Sequence, residues 1–204
     1  MQNVPDTYKT ILKPSEEILY KDKKSKFYGY AFPISTEEEV KPIIEDLRSK
    51  HHKANHTCYA WQLGAENPTF RANDDGEPNN SAGMPIYGQI QSFEVTNILI
   101  AVARVFGGTK LGVGGLITAY RSAAQMALEA SYIVEKIIEE QLLISFDYKE
   151  MNKVLRVIKQ NQLNVVSKKL EIDCTYIIAV RKQKIGEVLA KFSSMPTIKS
   201  IKRV

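Results

Sequence analysis

From Glu16 to Ile34 the chain reads EEILYKDKKSKFYGYAFPI, and its two β-prone runs around a charged turn predict a hairpin. Phe27, Tyr28, Tyr30 and Phe32 supply aromatic strand formers to the second run. Ser35 and Glu38 have the spacing of a capping box for a helix running toward Lys50. Pro42, inside that segment, should kink the helix or move its start. HTCYAWQL (His56 to Leu63) reads as a strand, and RANDDGEPNNSAG, rich in Asn, Asp, Gly and Pro, reads as loop. MPIYGQIQSF predicts a short helix. TNILIAVARVF is nearly continuously apolar, as in a strand covered on both faces. VFGGTKLGVGG then places five of the chain's eleven glycines within nine residues, and a helical pattern follows to about Lys136.

Beyond this point the pattern changes. EEQLLISFDY reads as a strand, KEMNKVLRVIKQNQ as a helix, NVVSKKLEIDCTYIIAV as two strands, KQKIGEVLAKFSS as a helix and TIKSIKRV as a last strand. That β-α-β-β-α-β order is the ferredoxin-like arrangement. The expected class is therefore α+β, with a first domain over residues 1–137 and a ferredoxin-like domain over 138–204. No Gly-, Ser- or Pro-rich linker marks the boundary.

A chain of 204 residues, 44% hydrophobic and 25% charged, has the composition of a soluble globular protein with a real core. The longest apolar runs fall short of the roughly 18–20 residues that span a bilayer. The first residues lack the apolar stretch of a secretory signal, so the expected location is cytoplasmic, with no membrane partner. Cys58 and Cys174 are far apart and outside any CxxC pair, as expected of reduced thiols. The net charge of +5 is uneven: residues 138–204 carry +6 and residues 1–137 carry −1. Such an excess suits an acidic partner such as nucleic acid, and equally a solvated basic face.

The glycine cluster fits neither nucleotide motif. From Gly107 the P-loop positions after Gly112 hold Val113 and Gly114 in place of Lys and Ser or Thr, and the dinucleotide pattern fails at Ile117. What remains is close backbone approach and an anion-attracting helix start, with Arg104, Lys110 and Arg121 nearby. The alternative is a conformational corner, since Ala119, Ala123, Ala124 and Ala127 form a small face that lets the helix lie close to a sheet. The Asp74–Asp75–Glu77 loop fails the calcium-loop pattern. With His56 it could still supply acid–base or magnesium-binding groups. His52 and His56 are spaced i,i+4 without the glutamate of a zinc protease; Cys58 would complete a three-ligand set. No metal or other cofactor is expected. Lys149, Lys153, Arg156 and Lys159 form a cationic stripe opposite Met151, Val154, Leu155 and Ile158. Aromatic residues are too sparse there for a base-stacking surface.

KSKFYGYAFPI, HTCYAWQLG, DDGEPNNSAGMPIYGQI and VARVFGGTKLGVGGLITAYRSAA together resemble, in order and spacing, the YigZ/IMPACT family, over most of Lys24 to about Ala130. The resemblance implies an N-terminal α+β domain like that of a ribosomal small-subunit protein and then a ferredoxin-like domain, as adjacent domains of elongation factor G are arranged. Asn79-Asn80 departs from the smaller residues common after the loop's proline. Eukaryotic members regulate translation by competing for an activator of an amino-acid-starvation kinase. They do so through a further N-terminal domain not found in this sequence, so that activity is not carried over. The expected function is a non-enzymatic RNA- or ribosome-binding protein near translation. Arg104, Lys110 and Arg121 would contact phosphates in the first domain, and Lys149, Lys153 and Arg156 in the second. The alternative is an enzyme on a small or peptide-like substrate, using His56, Asp74, Asp75 and Glu77; a protein partner is a third possibility.

Overall fold

The structure, a computed structural model, describes residues 6–204. They divide into two compact units, Tyr8–Lys136, and Ile137–Val204 together with residues 6–7. The N-terminal reading to residue 5 lies outside the described residues.

Strand β1 (Thr7–Ile11) pairs with β7 (Ile133–Ile137) as a two-stranded sheet, all but Thr7 and Ile137 within the N-terminal unit. The main sheet has the order β2 (Ile18–Asp22), β3 (Ser25–Pro33), β6 (Ile98–Val105), β4 (His56–Leu63), β5 (Thr69–Asn73), every pair antiparallel. Helices α2 (Gly83–Ser92) and α3 (Gly112–Glu129) cover one face and α1 (Val40–Lys50) the other. Central β6 serves both cores by strict alternation: Ile98, Ile100 and Val102 point to α2 and α3, Leu99 and Ala101 to α1. This is why its sequence is apolar throughout.

The β2–β3 hairpin closes on Asp22 and Ser25 with Lys23 and Lys24 both at positive φ, the signature of a type I′ turn, whose twist matches that of the strands. The cap expected at Ser35 is shifted by one residue: Thr36 precedes a 3-10 turn, and the Glu39 carboxylate accepts the Ser35 and Thr36 N–H groups. Pro42 neither kinks α1 nor starts it. It occupies the first turn, where a helix N–H has no intrahelical partner and its absence is harmless. Two boundaries differ from the sequence pattern. Helix α3 ends at Glu129 and the residues after it form β7, while Arg71–Asn73, read as loop, extend β5 opposite Tyr59–Trp61. The small-residue face of α3 is fully buried, and beneath it Gly29 leaves no room for a side chain. A Cβ there would lie 2.9 Å from the Ala123 carbonyl oxygen.

One polar cluster around buried Tyr30 makes a pH prediction. The Tyr30 hydroxyl hydrogen-bonds Glu17 and lies 2.5 Å from His51 Nε2, and Tyr28 stacks on the His51 ring. Burial holds His51 below its ordinary 6.5 and, with the Glu17 contact, raises Tyr30 above the usual phenol range. The unfolded chain therefore binds more protons than the folded one as the pH falls below 6.5. The stability carried by neutral His51 is complete above 6.5 and is lost as the pH falls through the depressed value. The thermal midpoint should drop between about pH 7 and 5, and His51→Gln should flatten that slope. An unchanged slope would remove His51 from the cause.

The C-terminal unit contains β8 (Glu139–Asp147), α4 (Met151–Gln160), β9 (Asn164–Lys169), β10 (Asp173–Arg181), α5 (Ile185–Ser193) and β11 (Ile198–Arg203). Its sheet runs β11-β8-β10-β9, all antiparallel, which is the ferredoxin-like topology expected from the element order. Val154 and Ile158 of α4 and Val188 and Phe192 of α5 cover one face. Leu155, assigned by pattern to the buried stripe, is 38% exposed; the residues α4 buries are Val154 and Ile158, four apart on one face. Among the described residues, no helix is long and apolar enough to cross a membrane.

Candidate anion-binding cleft

Four segments of the N-terminal unit meet at a cleft of about 490 Å³. The start of β4 contributes Asn55 and His56; the loop before α2 contributes Glu77 and Pro78. The end of β6 contributes Arg104 and Phe106, and the glycine-rich turn into α3 contributes Lys110, Leu111, Gly112, Val113 and Leu116. Sheet order brings them together, since β4 pairs directly with β6 and His56 stands opposite Arg104.

The acidic loop is built by its own side chains. The Asp74 carboxylate accepts the N–H groups of Asn80, Ala82 and Gly83 and so ties the loop to the start of α2. Asp75 receives the Thr57 N–H at 2.6 Å and the Arg48 guanidinium at 2.7 Å. Asp75 and Gly76 both have positive φ, and the Glu77 N–H closes the turn on the Asp74 carbonyl. Asn80, one of the two residues that depart from the family pattern, also sits at positive φ (60°), a conformation asparagine tolerates better than most residues. Asp74 and Asp75 are thus bound up in loop geometry.

Glu77 and His56 do face the cleft. The Glu77 side chain is 4% exposed; its Oε1 accepts from Arg104 Nη1 at 2.6 Å and from the Tyr120 hydroxyl at 2.7 Å. Arg104, expected as a surface phosphate contact, is instead 7% exposed in its side chain and stands at the cleft wall. Its guanidinium lies 5.5 Å from the ring centroids of both Phe27 and Phe106, and its buried Nε has no hydrogen-bond partner among the described residues. Beneath this pair, burial pushes the Cys58 thiol and the Tyr120 phenol well above their ordinary values, so both stay protonated. His56 Nδ1 donates to the Asp75 carbonyl at 2.7 Å, which leaves Nε2 as the acceptor of the neutral ring. His51, His52, His56 and Cys58 do not converge as ligands: Cys58 Sγ is buried against the Asp74 carbonyl, and among the described residues no group of three such side chains could hold a metal ion.

The glycines divide by task. Gly107 lies against the β2–β3 turn and its N–H bonds Ser25 Oγ, so its role is packing. Gly108 and Gly112 have φ of +87° and +72°, and Gly112 begins α3 from a left-handed turn. The first N–H groups of α3 have no partner within the helix and carry its positive end, and exposed Lys110 stands beside them at the cleft. Arg121 is exposed about two and a half turns further along α3 and is not part of the lining. In the C-terminal unit Lys149, Lys153 and Arg156 are exposed around α4, with Lys153 paired to Glu150 at 2.7 Å. Sequence reading missed Phe106 and Leu111, for which the only signal was an apolar residue before the glycine cluster and another inside it.

A unit with this sheet, this acidic turn and this glycine-bounded cleft is of the Impact N-terminal type: that family's model matches residues 23–128, and the chain belongs to the IMPACT family. Among its relatives are the IMPACT family members YvyE of Bacillus subtilis (strain 168) and YigZ of Escherichia coli (strain K12). YvyE is 33% identical over 139 residues, covering 68% of this chain but only 64% of YvyE. YigZ is 28% identical over 173 residues, covering 84% of this chain and 85% of YigZ. The two-unit architecture is also that of a crystal structure of a hypothetical protein, matched at a TM-score of 0.71 and 25% identity over 98% of each chain.

Proposed function

We propose that this protein binds RNA, on or near the ribosome, through phosphate groups received at the cleft, and that it regulates translation without itself being an enzyme. The observation that carries this reading is the convergence on one concave site of exposed Lys110 and the α3 start, whose first N–H groups have no partner within the helix, beside the Arg104 guanidinium that Glu77 pairs. The stripe of Lys149, Lys153 and Arg156 adds sequence-independent attraction from the C-terminal unit, and family membership supports the link to translation. Phosphate contacts position a nucleic acid and do not specify it, so sequence preference should be weak.

Fluorescence anisotropy with a short labelled RNA across a salt series tests this. Affinity should fall steeply with salt, and a Lys110→Ala variant should bind more weakly, with a log–log slope shallower by about 1, whereas Arg121→Ala, outside the cleft, should change binding less. Binding indifferent to salt or to Lys110 would overturn the reading.

One observation favours an enzyme as second reading: His56, oriented through Nδ1, shares the cleft with Glu77. Because Asp75 braces Arg48 and the Thr57 N–H, Asp75→Ala would disturb the loop itself, and His56→Gln is the informative variant. Loss of a turnover reaction in that variant, with its melting curve intact, would support catalysis.

A further inference from the structure

We propose that the cleft takes one unpaired nucleobase of the bound RNA, its ring laid against Phe106, while Lys110 and the α3 start hold the adjoining phosphate. This rests on the RNA-binding reading above and adds to it what the phosphate contacts leave unexplained.

A phosphate alone needs a shallow, polar seat. The cleft has the volume of a small-molecule site, about 490 Å³, and much of its wall is apolar: Phe106, Leu111, Val113 and Leu116, with Pro78 at the loop side. Phe106 is 43% exposed and Val113 52% exposed, a pair of large apolar side chains presented to solvent at a concave site. The main chain at Phe106 is anchored, its backbone N–H donating to Asn55 Oδ1 at 3.0 Å, and the buried Arg104 guanidinium lies 5.5 Å from the Phe106 ring centroid. An exposed aromatic face at a concave site offers a flat partner of the right kind for a base.

The polar groups on the same wall narrow the choice of occupant. Glu77, Arg104, Asn55 and His56 mix acceptors and donors, as a base edge requires and an alkyl chain does not. A base within a duplex is stacked on its neighbours and cannot enter such a site, whereas a base in a loop or a single strand can be splayed out. The cleft therefore selects single-stranded RNA, one base at a time.

The experiment measures anisotropy with a labelled single-stranded RNA, the same strand in a duplex, and the same strand with one nucleotide at a time made abasic, each across a salt series. Phe106→Ala and Phe106→Trp are run beside the wild type, and circular dichroism checks their folding. The expected result is tighter binding of the single strand than of the duplex, roughly tenfold weaker binding by Phe106→Ala, a similar loss at an abasic position, and recovery with Phe106→Trp. Salt-dependent binding that ignores Phe106, abasic positions and duplex formation would overturn the base pocket and leave the phosphate reading standing. No salt-dependent binding of any RNA would overturn both.

Discussion

Replacing Glu77 with alanine is expected to destabilise the N-terminal unit by about 3–5 kcal/mol. Glu77 and Arg104 are 4% and 7% exposed in their side chains and meet at 2.6 Å, so removal of the carboxylate leaves a guanidinium buried without its counter-charge. The Tyr120 hydroxyl loses its acceptor at the same time. Glu77→Gln keeps the volume and an acceptor for Tyr120 but not the charge, and should fall between the two. The double variant Glu77→Leu/Arg104→Met should recover most of the loss, because two apolar side chains in place of a buried pair remove the desolvation cost of both. Trp61, the chain's single tryptophan, is buried in this unit, so its fluorescence during urea unfolding reports this transition. A Glu77→Ala midpoint equal to the wild type's would show that the pair is not held as a buried ion pair.

The second large effect is expected at Gly107. A Cβ there would stand 2.1 Å from the Lys24 carbonyl carbon and 2.3 Å from the Ser25 nitrogen, both backbone atoms of the β2–β3 turn. No flexible side chain can move aside. The turn itself must shift, and the Gly107 N–H bond to Ser25 Oγ goes with it. Gly107→Ala should cost about 3 kcal/mol, at the upper end for overpacking. Gly114→Ala is the control from the same cluster: nothing lies within 4 Å of its Cβ position, and it sits in the first turn of α3 at ordinary φ. It should be neutral or stabilising by about 0.5–1 kcal/mol, as alanine replaces glycine within a helix. Equal melting temperatures for the two variants would contradict this division of the glycines.

Much of the molecule follows from local pattern. The unbroken apolar run of β6 announces a strand covered on both faces, and the alanines of α3 announce close contact with a sheet; both hold, with Gly29 beneath the helix as the matching gap. The element order of the C-terminal unit leads directly to its β11-β8-β10-β9 sheet. In these cases burial imposes a period on neighbouring residues, and a period is visible in sequence.

What depends on partners distant in the chain could not be read that way. Ile133–Ile137 continues the helical pattern of α3 and becomes a strand because β1 pairs with it. Arg71–Asn73 has loop composition and becomes strand because β4 lies alongside. Arg104 reads as a cation at the end of an apolar run; only the pairing of β6 with β4, and the loop that places Glu77 beside it, turns it into a buried ion pair at a cleft wall. The same pairing gathers His56, Glu77 and Lys110 from positions more than fifty residues apart at its extremes. Periodicity is set by each residue's near neighbours, so the elements were legible in the sequence; the cleft is made by sheet pairing across the chain, and only the folded structure decides it.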